Sequence, residues 1–232
     1  MENLTVKIEG DTKELVIRQG SALPAREPNR INIAGNILAP GNWLDIRCGD
    51  PRVDNVQFSR EKMEIVFTKN ESDAYSTTIV GLLKLNEDLK KFKINENHLW
   101  ATADLAKFLK MNRLFFADAD QCGKIIVELN SLKAKIQTEI EQSQNNRGNS
   151  KSLVATKIES NIPLKFKLKL PVFIGFGSKI FTVEICLETS DRTVQVWLES
   201  AELHEIVIVE RDKIISAEIN KFDKAGLPII EY

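Results

Sequence analysis

Cysteine and histidine are scarce in this 232-residue chain, which has only Cys48, Cys122 and Cys186 of the one and His98 and His204 of the other. An odd number of widely spaced cysteines gives neither a disulfide framework nor a two-plus-two zinc ligand set, and it fits a reducing compartment. Without His-x-His, His-Glu-x-x-His or Cys-x-x-Cys spacing there is no metal-ligand cluster. Neither histidine stands in an elbow or triad setting with Ser or Cys, so nucleophilic catalysis is not expected and no cofactor is implied. Long hydrophobic runs are missing too, since no stretch approaches the ~18 apolar residues of a membrane span. The opening Met1-Glu-Asn-Leu-Thr-Val-Lys-Ile-Glu has an early acid and alternating polarity where a signal peptide has a basic end and an apolar core. The expectation is a cytoplasmic, non-enzymatic protein without membrane association.

The chain has 43% hydrophobic and 28% charged residues, an ordinary globular composition able to bury a core without a disulfide or metal. The net charge of -1 is unevenly spread. Residues 86–170 carry 15 basic and 10 acidic side chains, whereas residues 171–232 carry 6 and 11. A basic middle beside an acidic end is compatible with a nucleic-acid face, with self-complementary surfaces, or with charges scattered over solvated faces.

The first 85 residues read as β-structure. Residues 4–8, 14–18, 31–37, 62–67 and 76–85 are rich in β-branched residues, mostly alternate, and are separated by turn formers such as Gly10-Asp11, Gly20-Ser21, Pro40-Gly41-Asn42 and Gly49-Asp50-Pro51. This spacing implies an antiparallel sheet or sandwich with one wet face. His98, beside Leu99-Trp100, reads as a turn residue near a core tryptophan.

The period then changes. Thr102 caps a predicted helix from Ala103 to about Met111, with Leu105, Phe108 and Leu109 on one face. Asp118 and Gln121 have capping-box spacing ahead of a second helix running from Ala119 to about Glu141. The paired acids Asp118 and Asp120 belong to that helix start rather than to a metal site. The helix's apolar positions, Cys122, Ile125, Leu129, Leu132, Ile136 and Ile140, form a narrow seam close to a seven-residue repeat. Such a seam suits one partner helix, in the same chain or in a second copy.

After a polar loop the strand pattern returns. Lys165-Phe-Lys-Leu-Lys-Leu170 alternates strictly, with Phe166, Leu168 and Leu170 on one face and Lys165, Lys167 and Lys169 on the other. Val172 to Ile174 and Lys179 to Leu187 read as strands flanking a Gly175-Phe-Gly177-Ser178 hairpin turn, which lacks the glycine and helix of a phosphate loop. A further strand spans Arg192 to Glu199. A helix follows Ser200, carrying Leu203, Ile206, Val207, Ile214, Ile215 and Ile219 and leaving His204 exposed, and residues 227–231 close as a strand.

Two basic features are candidate anion or nucleic-acid contacts. The lysine face could track a phosphate backbone or simply keep a sheet face soluble. The loop around Arg147, with Lys151, presents a guanidinium beside a glycine, although the same composition describes a connector.

The segments Met111-Asn-Arg113, Gln142-Ser-Gln-Asn-Asn-Arg-Gly-Asn-Ser-Lys151, Ser160-Asn-Ile-Pro163 and Pro171-Val-Phe173, in this order, resemble an uncharacterised phage and prophage protein family, a domain of unknown function. The resemblance covers about Leu15 to Ile230 and implies a phage accessory protein made in a bacterial cytoplasm, with no catalytic or binding residues to carry over. The expected fold class is α+β, with β portions (1–99 and 153–232) around a helical segment and polar loop (100–152), in separate units or one composite domain. The expected function is that of a self-associating binding protein. The alternatives are a nucleic-acid-binding protein of phage replication or recombination, and an enzyme without recognisable motif. Partners are a second copy of the chain, nucleic acid or a host protein.

Overall fold

The alternating segments build two sheets in the computed structural model, which describes residues 29–72, 75–131, 165–190 and 193–232. The first contains β1 (Asn29–Asn36), β2 (Asn55–Ser59), β3 (Glu64–Ser72), β4 (Tyr75–Leu82) and β9 (Ile229–Glu231), in the order β1-β4-β3-β2-β9. The second contains β5 (Trp100–Ala101), β6 (Lys165–Pro171), β7 (Ser178–Ser190) and β8 (Thr193–Glu199), in the order β5-β8-β7-β6. Among the described residues five α-helices complete an α+β fold: α1 (Ala39–Ile46), α2 (Glu87–Lys91), α3 (Thr102–Met111), α4 (residues 119–131) and α5 (Ala201–Lys224). The expected strands at 4–8 and 14–18, and the 132–141 part of the long helix, lie outside the described residues.

The second sheet is antiparallel throughout, as expected. The first is mixed, because β1 runs parallel to β4 and β9 parallel to β2. A period of two reports which face is buried and says nothing about strand direction. Parallel neighbours need a crossover, and here α1 with the β2–β3 hairpin lies between β1 and β4.

Pro40-Gly41-Asn42, expected as a turn, lies inside α1, with proline in the first helical turn, where its missing N–H costs nothing. The helix sits on a flat spot made by two glycines, for Gly35 of β1 and Gly81 of β4 are registered neighbours. A Cβ on Gly81 would stand 2.6 Å from Pro40 Cδ, and one on Gly35 would stand 2.8 Å from Ala39 Cβ. The close approach thus depends on both missing side chains. On the other side of α1, Gly41 leaves room for the carboxylate of Glu218, which is buried and paired through Oε1 to Lys221 Nζ at 2.8 Å.

Helix ends also differ from the sequence pattern. Thr102 is the first helical residue of α3 and is buried, while Ala101 takes the cap position without a side-chain bond. Asp118 does cap α4, accepting from Asp120 N at 2.9 Å. Gln121, however, turns to β6, donating to Lys165 O at 3.2 Å and accepting from Lys167 N at 3.1 Å. The unpaired backbone edge of β6 thus outcompetes the capping box for that amide. Val172 to Ile174, expected as strand, belongs to the β6–β7 connection, where Asn86 N donates to Val172 O and Ile174 N to Lys84 O, both at 2.9 Å. These bonds stitch the exit of the first sheet to the second.

One apolar core runs through both sheets and the helices. Phe67 and Ile79 enter it from the first sheet, Phe166 and Phe181 from the second, and Leu105 and Ile125 from α3 and α4; all six are fully buried. Helix α5 spans the two halves. Its Ser200 cap rests on β7, and its Phe222 meets Phe67 of β3 with ring centroids 5.4 Å apart. The terminal strand β9 returns to the first sheet, as the sequence pattern indicated.

Gly81→Val should lower unfolding stability by about 1–3 kcal/mol, because the seat of α1 has no space for the added carbons. Gly123→Ala, on a helical residue with nothing within 4 Å of the new Cβ, should raise it by about 0.5–1 kcal/mol. Urea titration of both variants checks this, and an unchanged midpoint for Gly81→Val would contradict the close-packed seat.

Candidate functional site

Strict alternation on β6 places Phe166, Leu168 and Leu170 in the core, each fully buried, and turns Lys165, Lys167 and Lys169 outward. The lysines stand about 6.6–6.8 Å apart along the strand. Lys165 Nζ pairs with Glu184 Oε1 on β7 at 2.7 Å. Lys167 faces Thr182 across the ladder and Lys169 faces Ile180, so neither has an acidic partner among the described residues. The same outer face carries Ile180, which is 52% exposed, then Cys186 of β7 and its neighbour Trp197 of β8. Trp197 Nε1 donates to Glu199 Oε1 at 2.7 Å. The sheet face is therefore basic along β6 and acidic toward β8.

Arg147 and Lys151, together with the seam residues Leu132, Ile136 and Ile140, lie outside the described residues. Ile125 and Leu129 are fully buried in the chain's own core, and Cys122 is 2% exposed beside them. The described part of the seam is therefore internal and offers no surface to a second copy. Its neighbour is α3, where Leu109 O accepts from the Cys122 thiol at 3.7 Å.

Two of the three thiols are shifted by their surroundings. Burial pushes the Cys122 thiol up. The Cys186 thiol is pushed up to about 11, first by burial, then by the charge and hydrogen bond of Glu199, and last by the charge of Glu184. A thiol so raised is almost wholly protonated at neutral pH and is a poor nucleophile. His98 is exposed, lies just after the turn at residues 94–97 rather than in it, and stands edge-on to the half-buried Trp100, with centroids 4.6 Å apart. Among the described residues no group of three His, Cys, Asp or Glu side chains could hold a metal, and no helix is long and apolar enough to cross a membrane.

The pattern reading missed a second feature. Asn86 caps α2, its Oδ1 accepting from Asp88 N at 2.8 Å and from Leu89 N at 3.3 Å. The helix then unwinds into a loop in which Lys93, Asn95 and Asn97 adopt left-handed φ of 54°, 63° and 52°. Asparagine is enriched in that region, whereas lysine visits it at a cost of about 1–3 kcal/mol, held only when its surroundings fix it. Here the fixing contact is Asn95, whose Oδ1 accepts from Ser200 N at 2.8 Å and whose Nδ2 donates to Ser200 O at 2.9 Å. The available signals were Asn86 before Glu87-Asp88 with Lys90-Lys91 closing the turn, and the alternating asparagines of 95 and 97.

Between α2, this loop and the first turns of α5 lies an open cleft of about 140 Å³. Leu85, Leu89, Ile94, Leu203 and Val207 form its apolar walls. Lys90, Glu96 and His204 stand at it too, Lys90 paired to Glu87 at 2.9 Å and Glu96 to Lys93 at 3.0 Å. His204 is exposed, as expected, and makes no side-chain hydrogen bond among the described residues. Ligand pockets commonly span 300–1,000 Å³, so this cleft admits one ring or one branched side chain and not a whole metabolite.

No family model, curated protein or solved structure matches the chain.

A thiol reagent at pH 8 should modify the exposed Cys48 rapidly in the native protein, the half-buried Cys186 with its raised pKa far more slowly, and the buried Cys122 only once denaturant is added. Two thiols reacting at comparable native rates would contradict the placement of the pair.

Proposed function

We propose that this chain is a phage- or prophage-encoded accessory protein that acts by binding, and that its ligand is a polyanion, single-stranded nucleic acid foremost. The supporting observation is the outward row on β6, where Lys167 and Lys169 are exposed and have no acidic partner among the described residues. Cations at a spacing near 6.7 Å on a rigid strand suit a repeating anion, and release of counterions makes such binding steeply salt-dependent. The phage setting rests on the resemblance carried by the 111–113, 142–151, 160–163 and 171–173 segments.

Self-association is the second reading. It is favoured by Met111, Leu114 and Val127, on and beside α3 and α4, which are 78%, 86% and 64% exposed.

Lys167→Glu combined with Lys169→Glu should abolish retention of single-stranded DNA in a gel-shift assay at low salt and leave the unfolding midpoint within about 0.5 kcal/mol of the original. Wild-type retention should fall steeply between about 50 and 200 mM salt. Equal retention by the double variant, or none by the wild type, would sink the polyanion reading. Light scattering of Leu114→Lys with Val127→Lys tests the second reading through a drop in mass.

A further inference from the structure

We infer that the outer face of the second sheet is a two-fold docking surface for a second copy of this chain, whose carboxylates cover the β6 lysine row until a polyanion displaces them. The competition rests on the polyanion reading; the docking itself does not.

The face is split by charge. On β6, Lys167 and Lys169 have no acidic partner among the described residues. On the opposite side of β7, Glu199 and Glu202 are exposed and have no cationic partner among the described residues. Each is held by a neutral donor instead, Glu199 Oε1 by Trp197 Nε1 and Glu202 Oε2 by Thr182 N, both at 2.7 Å. Glu199 also stands directly opposite Glu184 in the ladder, and like charges so placed repel. Lys165 serves Glu184 and leaves Glu199 in need of a cation from elsewhere.

The ladder sets these charges at matching levels. Lys165, Glu184 and Glu199 form one row across the sheet, and Lys167, Thr182 and the Glu202 carboxylate form the next. In both rows the lysine lies on one side of β7 and the cation-free carboxylate on the other, each about one strand spacing of 4.8 Å away. A two-fold axis along β7, between two such faces, lays each copy's Lys165 over the other's Glu199 and each Lys167 over the other's Glu202. The contacts then occur twice, as a self-complementary interface requires. Glu184, near the axis, arrives with its own cation. Ile180, 52% exposed on the same face, adds apolar area beside it.

The test is sedimentation velocity of the full chain. At about 100 μM protein and about 50 mM salt the wild type should run at twice the chain mass, and high salt should dissociate it. Glu199→Gln with Glu202→Gln keeps both accepted hydrogen bonds and removes the charges, so association should weaken by about tenfold or more. Glu199→Lys with Glu202→Lys, and Lys167→Glu with Lys169→Glu, should each be monomeric alone and pair one-to-one when mixed. Glu199→Lys alone replaces the first of these should it not fold. Single-stranded DNA added to the wild-type dimer should convert it to DNA-bound single chains. A monomeric wild type, a dimer untouched by the glutamine pair, or a mixture that stays monomeric would overturn the docking. DNA bound with the dimer intact would overturn the competition. Failure of the monomeric glutamine variant to retain DNA would instead sink the polyanion reading and leave the dimer standing.

Discussion

Five hydrogen bonds converge on Ser200, and the arrangement of both halves of the protein follows from them. Its backbone N–H and C=O are taken by the amide of Asn95, its C=O also accepts from His204 N at 3.3 Å, its hydroxyl donates to Thr182 O at 2.6 Å, and the hydroxyl oxygen accepts from Leu203 N at 3.0 Å. A residue 2% exposed cannot leave such groups unpaired without a cost of about 1–3 kcal/mol for each. The junction therefore fixes three things at once: where β8 stops, where α5 starts and how the left-handed loop lies against both. Glu202 reinforces it by accepting from Thr182 N at 2.7 Å. The direction in which α5 leaves this node decides which part of the first sheet it reaches.

At its far end α5 meets a surface shaped by absent atoms. Gly41 makes room for the Glu218 carboxylate, and the Gly35–Gly81 pair lets α1 lie low enough for that meeting. The polar contact is small beside the apolar one, because Phe222 and Ile215 are fully buried there and each large apolar side chain so placed is worth about 1.5–3 kcal/mol. The helix is thus held by polar geometry at its start and by burial at its end.

The sequence conveyed faces far better than directions. Alternation identified the buried and exposed sides of β6 and β7, and the helical period after Ser200 located α5, because side-chain periodicity is a local property. The parallel pairings of β1 and β9 depend on distant segments, so no local pattern announced them. Helix α1 was hidden because proline and glycine are turn formers by propensity, while their use here is steric and tertiary. The outward lysines were legible for the same reason as the strand. The cleft was not, since its walls come from α2, a loop and α5, and its shape rests on a side-chain clamp between residues 105 positions apart. Of the seam, Ile125 and Leu129 looked like an interface because a narrow stripe does not reveal whether its partner is in the same chain.

The first sheet is completed by residues made long after its central strands. Tyr232 N donates to Phe58 O, and its hydroxyl donates to Glu64 Oε1 at 2.6 Å across a separation of 168 residues. At ribosomal speeds of about 5–20 residues per second, β3 waits roughly 10–30 seconds for this partner to be synthesised. During that interval β2 has an open edge and Phe67 lacks Phe222. Exposed edges and uncovered aromatics are where partly made chains aggregate. Until residues 222–232 have been made, nascent chains of this protein carry an aggregation-prone edge, and slow translation of that stretch would lengthen the exposure.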